Sequence, residues 1–178
     1  MPQIIVIAHN IRSTHNVGSI FRTCEGFGVE KIILSGYTPY PDLSLRHDAP
    51  SCAFIDGEIT TSDPRLPHIR EKINGQIHKT ALGAEALVPF EYMDIPDFVK
   101  LKNAGYQLVA LEQSPRAHVL PNYVPPQNVA LLIGEEVHGI TKDMLEECND
   151  IIEIPMQGKK ESFNVSVATG IALYALTT

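Results

Sequence analysis

Cysteine is scarce in this sequence, and long apolar runs are absent. The three cysteines, Cys24, Cys52 and Cys148, are few and odd in number, which fits the reducing cytoplasm better than a disulfide framework. The apolar runs fall far below the roughly 18 residues that span a bilayer, and no secretory signal opens the chain. With 44% hydrophobic and 20% charged residues, the composition is that of a globular protein. We expect one cytoplasmic domain over residues 1–178, without a membrane segment.

The common nucleotide and metal motifs are also missing. Neither the G-x-G-x-x-G fingerprint nor the G-x-x-x-x-G-K-[ST] phosphate loop occurs in the sequence, so nucleotide cofactors of those classes lack support. The zinc-type patterns C-x-x-C and H-E-x-x-H are absent as well, and we expect no metal site.

Basic residues are fewer than acidic residues, and the difference is unevenly distributed along the chain. The net charge is −7, yet residues 1–79 carry eight basic and eight acidic side chains, whereas residues 80–178 carry six and thirteen. An acidic balance argues at face value against a nucleic-acid partner. Because the deficit lies in one part of the chain, the N-terminal part can still present a neutral or locally basic surface. The alternative is a charge that simply drifts along the surface of a soluble protein.

Short apolar runs alternate with segments of helical periodicity along the chain. Strands are predicted at residues 3–8, 31–36, 106–111, 128–134 and 150–156, and helices at residues 17–28, 95–105, 141–150 and 164–177. This alternation predicts an α/β fold with a mostly parallel sheet flanked by helices. Residues 36–42, GYTPYPD, have loop composition, and residues 43–66 lack periodicity and are predicted to form a surface excursion.

Three polar, glycine-containing clusters follow predicted strands. They occupy residues 9–22, 132–140 and 154–166. Ligands of parallel sheets gather at the carboxyl ends of the strands, so we expect the three clusters to meet there. Each cluster precedes or opens a helix, where free backbone amides favour an anion or a polar ligand.

These clusters resemble the three motifs of the SpoU/TrmH class of SPOUT RNA methyltransferases. The resemblance extends from residue 3 to residue 176, except for residues 43–66, and residues 79–85 (KTALGAE) are similar to small members of the class. The matching residues are Asn16, Gly18 and Arg22 in the first motif, Leu132, Ile133, Gly134, Glu135 and Gly139 in the second, and Ile154, Pro155, Met156, Gly158, Ser162, Asn164 and Ser166 in the third.

The resemblance implies a ribose 2′-O-methyltransferase that uses S-adenosylmethionine (AdoMet) and acts on tRNA or rRNA. It also implies a C-terminal trefoil knot, which is a rare topology, and a homodimer with the active site near the subunit interface. A second interpretation stays open, in which the chain is a SPOUT-like RNA-binding or AdoMet-binding module without turnover. Retention of the whole motif set favours the enzyme.

The same resemblance assigns the site residues. Some of these residues have structural alternatives: Asn16, Ser162 and Asn164 suit helix capping, and apolar residues such as Ile154 and Met156 are common in cores. The glycines of the second motif suit either a tight turn or a close approach of the backbone to the cofactor. Active-site roles are implied for Asn16, Arg22, Glu135, Ser162 and Asn164, and a place in or beside the cofactor pocket for Leu111, Gly134, Ile154, Met156, Ser162 and Phe163.

Arg22 raises a chemical question, because the family proposal makes this arginine the general base. A guanidinium group is only a donor and resists deprotonation in proteins. We therefore favour a role in which Arg22 holds a substrate phosphate and stabilises the developing oxyanion. The structural alternative is an ion pair with Glu25 or Glu30. Glu135 is expected to orient Asn16 or Arg22, and His78, His118 and His138 are left out of the catalytic set.

The uneven charge leads to a prediction about the RNA-facing surface. We expect this surface to be built around residues 9–22, with the acidic side chains turned elsewhere. Few phosphates would then be contacted, and the salt dependence of binding would be shallow.

Overall fold

The computed structural model of the protein describes residues 2–43, 54–55, 58–59 and 63–178. Over these residues the chain forms nine strands and six α-helices. The strands are β1 (Gln3–His9), β2 (Lys31–Ser35), β3 (Phe54–Ile55), β4 (Glu58–Ile59), β5 (Phe90–Met93), β6 (Gln107–Leu111), β7 (His118–Val119), β8 (Asn128–Ile133) and β9 (Asp150–Glu153). The helices are α1 (Thr14–Gly26), α2 (Pro67–Ala81), α3 (Ala84–Leu87), α4 (Phe98–Asn103), α5 (Lys142–Glu147) and α6 (Val165–Thr177).

The described strands belong to one sheet, in the order β4-β3-β5-β2-β1-β8-β6-β9-β7. Every neighbouring pair is parallel except β3 and β4. The central strands β1 and β8 pair from Gln3 opposite Asn128 to Ala8 opposite Ile133. Their near-continuous apolar sequences suit a parallel sheet, because helices cover both of its faces. The predicted α/β fold with a mostly parallel sheet is confirmed.

Helices pack on both faces of the sheet. Helices α1, α2 and α6 contribute Phe21, Ile77 and Leu173 to the apolar core on one face. On the other face, α4 contributes Leu101, and Met144 of α5 packs against the same smaller core. Side chains alternate between the two cores along each strand, as the period of two residues in a strand requires.

The predicted strands at residues 3–8, 31–36, 106–111, 128–134 and 150–156 correspond to β1, β2, β6, β8 and β9. Helices α4, α5 and α6 also lie within their predicted segments. The first helix begins earlier than predicted, because Ser13 is its N-cap and accepts a hydrogen bond from the backbone N–H of Asn16 (3.3 Å). Capping as the role of Asn16 is therefore wrong. Sequence patterns do not predict α2, α3, β5 or β7.

The predicted surface excursion at residues 43–66 lies largely outside the described residues. Buried residues nevertheless lie near both of its ends. Leu43 is buried, and its backbone N–H donates to Oδ2 of Asp63 (3.2 Å), whose carboxylate also binds the guanidinium of Arg65. Strands β3 and β4 extend the sheet beyond β5. The excursion is thus anchored at both ends, where polar contacts rather than periodic apolar residues define the structure.

The trefoil knot remains a prediction from the resemblance. No helix in the described parts of the chain combines the length and the apolar character needed to cross a membrane.

Candidate active site

A cavity of about 300 Å³ opens at the carboxyl ends of three neighbouring strands. Its walls come from the ends of β6, β8 and β9 and from the segment that leads into α6. This position follows from the parallel sheet, because loops that leave the same edge converge there. The volume lies at the lower end of the range for cofactor sites.

All six residues predicted to bind the cofactor line this cavity. They come from three different loops, and the sheet brings these loops together although they are up to 52 positions apart in sequence, from Leu111 to Phe163. Phe163 is 41% exposed, so its ring borders the opening rather than the core. The six lining residues are Leu111, Gly134, Ile154, Met156, Ser162 and Phe163.

The cavity is lined by acidic side chains. Among the described lining residues there are five glutamates and one histidine, His138, but no lysine or arginine. None of the described histidine, cysteine, aspartate and glutamate residues forms a group of three or more that could hold a metal ion. The cavity therefore favours a ligand with positive charge and disfavours one that carries phosphates. The glutamates are Glu112, Glu135, Glu136, Glu153 and Glu161.

Glu135 is the centre of a small charged network. Its Oε1 accepts a hydrogen bond from Nη2 of Arg12 (3.2 Å), and its Oε2 lies 3.1 Å from Nδ1 of His138. The hydroxyl of Tyr37 lies close enough to influence the pKa of this carboxylate. The hydrogen bond with His138, helped by those from Tyr37 and by the charge of Arg12, outweighs partial desolvation and holds the pKa of Glu135 below its ordinary value. Glu135 is thus an ionised group held by partners from three segments of the chain.

Asn16 links the three sequence clusters through its amide group. Its Oδ1 accepts from Nδ2 of Asn164 (3.1 Å), and its Nδ2 donates to Oε1 of Glu136 (2.8 Å). Asn164 also caps α6, because its Oδ1 accepts from the backbone N–H (2.9 Å) and the hydroxyl (2.6 Å) of Ser166. Capping and contact with Asn16 therefore coexist in Asn164. The expectation that Glu135 orients Asn16 is wrong, because Glu136 makes the contact with Asn16. A role of Glu135 in orienting Arg22 stays a prediction.

The loop after β8 is held closed by Glu112, which sequence reasoning did not select. The Glu112 carboxylate accepts hydrogen bonds from the backbone N–H groups of Gln113 and Ile140, both at 2.9 Å. Gly139, with φ of 67°, lies so close that a Cβ there would be 2.2 Å from Oε2 of Glu112. At Gly134 a Cβ would be 2.8 Å from the carbonyl carbon of Gly139. Both glycines therefore allow close approach within the loop itself.

Arg22 lies apart from this cavity. It is exposed on α1, and no ion pair or hydrogen bond joins its guanidinium to any of the described residues. The alternative ion pair with Glu25 or Glu30 is therefore absent from the described part of the chain, and Glu30 instead accepts a hydrogen bond from Tyr106. Asn16 and Arg22 are six positions apart in the helix, which is a rise of about 9 Å.

The expectation about the acidic side chains also needs correction. The acidic residues were expected to face away from residues 9–22, but Glu135 binds Arg12 and Glu136 binds Asn16. Sequence reasoning also missed contributors that carried a usable signal, because each follows a strand end or lies inside a cluster. These are Arg12, Tyr37, Glu112, Glu136 and His138.

A single parallel sheet with a ligand cavity at its carboxyl edge defines the class as an α/β protein with a cofactor-type site. The SpoU rRNA Methylase family model matches residues 60–174, more than half of the chain. The chain therefore belongs to this family.

Curated relatives of the family act on two kinds of RNA. A tRNA (guanosine(18)-2′-O)-methyltransferase from Aquifex aeolicus is 30% identical over 171 residues, which cover 96% of this chain and 67% of the relative. A 23S rRNA (guanosine-2′-O-)-methyltransferase from Salmonella typhi is 28% identical over 162 residues, covering 75% of this chain and 62% of the relative. The chain thus spans about two thirds of the first relative and less of the second.

Solved structures give the same assignment of fold. A TrmH/SpoU tRNA modifying enzyme from A. aeolicus superposes with a TM-score of 0.69 at 26% identity, covering 98% of this chain and 74% of the other. An AdoMet-bound rRNA methyltransferase from Sinorhizobium meliloti gives a TM-score of 0.71 at 23% identity, covering 97% and 55%. The second likeness establishes the fold alone.

Proposed function

We propose that this protein is an AdoMet-dependent RNA methyltransferase that transfers a methyl group to a ribose 2′-hydroxyl of tRNA or rRNA. The observation that carries the proposal is the acidic cavity, whose lining contains all six residues expected to bind the cofactor. The hydrogen-bonded side chains of Asn16, Asn164 and Glu136 lie beside it. The names of relatives that methylate guanosine ribose in tRNA and in 23S rRNA support both RNA classes equally.

The chemistry of the cavity suits AdoMet. This cofactor carries a sulfonium, an ammonium and a carboxylate group, so its net charge is positive, and five glutamates in the lining give its cationic groups a complementary negative potential. Its adenine needs an apolar surface, which Ile154, Met156 and Phe163 provide at the same opening. Phosphate-bearing nucleotides would meet repulsion there. We propose that the six lining residues of the predicted set bind the cofactor.

Methyl transfer of this kind depends on positioning. When bound, AdoMet supplies the methyl group for an in-line displacement by the ribose oxygen, which loses its proton during attack. Asn16, Glu135, Ser162 and Asn164 would fix the ribose and the loops around the reacting atoms. Arg22, whose guanidinium is unpaired among the described residues, would hold a phosphate of the substrate and stabilise the negative charge that develops on the oxygen.

The position of Arg22 outside the cavity supports a homodimer in which a second copy completes the site. Arg22 precedes Thr23, which lies beside Gly170 of α6. Helix α6 contains no charged residue and exposes Val167 and Tyr174, which suits contact with another copy. We propose that Arg22 of each protomer reaches the cavity of its partner. We further propose that the described sheet and its helices form a single methyltransferase domain, which is located in the cytoplasm.

The primary experiment incubates the protein with methyl-labelled AdoMet and unmodified tRNA or 23S rRNA transcripts, followed by nuclease digestion. A labelled 2′-O-methyl nucleoside is the expected product. Label in a base would contradict ribose transfer. Binding of AdoMet and RNA without any transfer would identify the alternative, a binding module without turnover.

Complementation tests the homodimer. Arg22→Ala and Glu135→Ala proteins, each inactive alone, are denatured, mixed and refolded together. If Arg22 acts on the partner's cavity, random pairing in a twofold dimer restores roughly a quarter of the sites. A mixture that stays inactive would show that each site uses its own Arg22.

A further inference from the structure

The loop after β2 contains two tyrosines in opposite environments. Tyr40 is buried, its ring lies 4.3 Å from that of Tyr92, and the guanidinium of Arg65 stands 3.7 Å over its face. Tyr37, three residues earlier, is 51% exposed. One aromatic ring therefore anchors the loop, and the other is presented to solvent.

The backbone around Tyr37 is held firmly. Its N–H donates to Oδ1 of Asn10 (3.2 Å), and the carbonyl of the preceding Gly36 accepts from the hydroxyl of Tyr92 (2.8 Å). The hydroxyl of the following Thr38 lies within hydrogen-bond distance of carbonyl oxygens in β1 and β2, at 3.0 Å and 2.7 Å. Gly36, with φ of 64°, leaves no room for a side chain beside Asn10. An exposed ring on such a backbone is not a flexible loop tip.

Tyr37 stands at the rim of the candidate active site. Its hydroxyl interacts with Glu135, which lines the cavity, and with Arg12, whose side chain is 71% exposed. An exposed aromatic ring and an exposed guanidinium group thus lie together beside the acidic cavity. A single ring flanked by two charged groups is too small and too polar for a protein interface, which needs several hundred Å² on each partner.

We propose that Tyr37 is a stacking platform for an unpaired nucleobase of the RNA, next to the ribose that receives the methyl group. Proteins recognise unstacked RNA bases by stacking them on aromatic side chains, and arginine assists through its planar cation. A platform that is already ordered loses little conformational freedom on binding. This inference rests on the proposed function, because it takes the cavity to be the methyl-transfer site.

Three variants separate the ring from the hydroxyl. Tyr37→Phe keeps the ring and loses the contact with Glu135, whereas Tyr37→Leu and Tyr37→Ala lose the aromatic face. We expect the leucine and alanine variants to bind tRNA or 23S rRNA transcripts roughly 5- to 100-fold more weakly, with unchanged AdoMet affinity by calorimetry. The phenylalanine variant should bind RNA as the native protein does. Equal weakening in all three variants would assign the effect to the hydroxyl and overturn the proposal.

The lack of tryptophan gives a second readout that does not need activity. In Tyr37→Trp the new indole is the only tryptophan, and a stacked base should quench its fluorescence as RNA is added. Val124→Trp is the control, since Val124 is 86% exposed and lies before β8, at the opposite edge of the sheet.

The outcomes distinguish the two proposals. If the native protein binds neither class of transcript, the proposed function fails and this inference falls with it. If the native protein binds RNA, while Tyr37→Leu binds equally well and the indole at position 37 is not quenched, only the stacking platform is wrong.

Discussion

Residues 1–79 and residues 80–178 meet at the carboxyl edge of the sheet with very different charges. The first part is neutral, with eight basic and eight acidic side chains, whereas the second carries the whole deficit of seven charges. Five of the thirteen acidic residues in the second part line the cavity. More than a third of the acidic residues of the second part therefore lie where a cationic ligand would bind.

The two parts also contact each other across the site. Arg12 of the first part binds Glu135 of the second, and Asn16 binds Glu136. Arg12 is thus partly neutralised, while Arg22 has no acidic partner among the described residues. The difference teaches that the net charge of the whole chain does not describe the local charge of either part. One part supplies a negative cavity, which we propose holds the cofactor, and the other supplies Arg22, which we propose contacts the RNA.

Replacement of Arg22 should have the largest effect, and it should lower turnover without changing the binding of AdoMet. Arg22→Lys substitutes a point charge for a planar, bidentate donor, and we expect kcat to fall roughly 100- to 1,000-fold. AdoMet affinity, measured by calorimetry, should stay unchanged, because Arg22 lies outside the cavity of its own chain and is proposed to hold a phosphate of the RNA, not the cofactor, at the cavity of the partner. Near-normal turnover of Arg22→Lys would contradict both the electrostatic role and the role of a base.

Replacement of Glu112, in the acidic second part, should instead weaken the binding of AdoMet. Glu112→Ala leaves the N–H groups of Gln113 and Ile140 without their acceptor and removes the contact that closes the loop over Gly139. Unsatisfied donors of this kind cost about 1–3 kcal/mol, so we expect AdoMet to bind roughly 10-fold more weakly. Glu112→Gln is a graded comparison, because its single amide oxygen can accept from only one of the two N–H groups, and it should weaken AdoMet binding less than alanine does. Equal AdoMet affinity in all three proteins would show that the loop closes without Glu112.

The sequence predicts the central strands well because they are buried on both faces and read as continuous apolar runs. It fails for α2 and β5, whose formation depends on packing against α1 and pairing with β2 rather than on a local pattern. The start of α1 was also misplaced, since Ser13 and Asn16 are equally good caps in sequence and only the hydrogen bond separates them.

The candidate site shows the same limit. The six expected cofactor residues lie together because strand ends in a parallel sheet must converge, which a sequence can reveal. Side-chain pairing across the site could not be read in this way. Glu135 and Glu136 are adjacent and chemically identical, yet one binds Arg12 and the other Asn16, because the loop turns their side chains in different directions.

The salt dependence of RNA binding tests whether few cations of the neutral part face the RNA. For single-stranded RNA each neutralised phosphate contributes about −0.7 to the slope of log K against log salt, so two to four contacts give a slope no steeper than about −3. Arg22→Ala should make the slope shallower by about 0.7. Filter binding between low and moderate salt measures both values. A slope near −6 would require many phosphate contacts and would mean that other basic residues face the RNA.

The smallest effect concerns the contact between the two parts at Glu135. Its pKa is lowered in the folded protein by His138, Tyr37 and Arg12, so the unfolded chain binds more protons in the acid range. The stability that ionised Glu135 contributes is therefore fully present above the ordinary carboxyl pKa of about 4.3 and is lost as the pH falls through the lower, folded value. We expect Glu135→Gln to lower Tm slightly at pH 7, with the difference from the native protein shrinking below pH 4.

Glu25→Gln is the control, because Glu25 has no ion pair or hydrogen bond from its side chain among the described residues. The Tm difference of Glu135→Gln could instead be the same at pH 3 and pH 7. The stabilising contacts of Glu135 would then not depend on its negative charge.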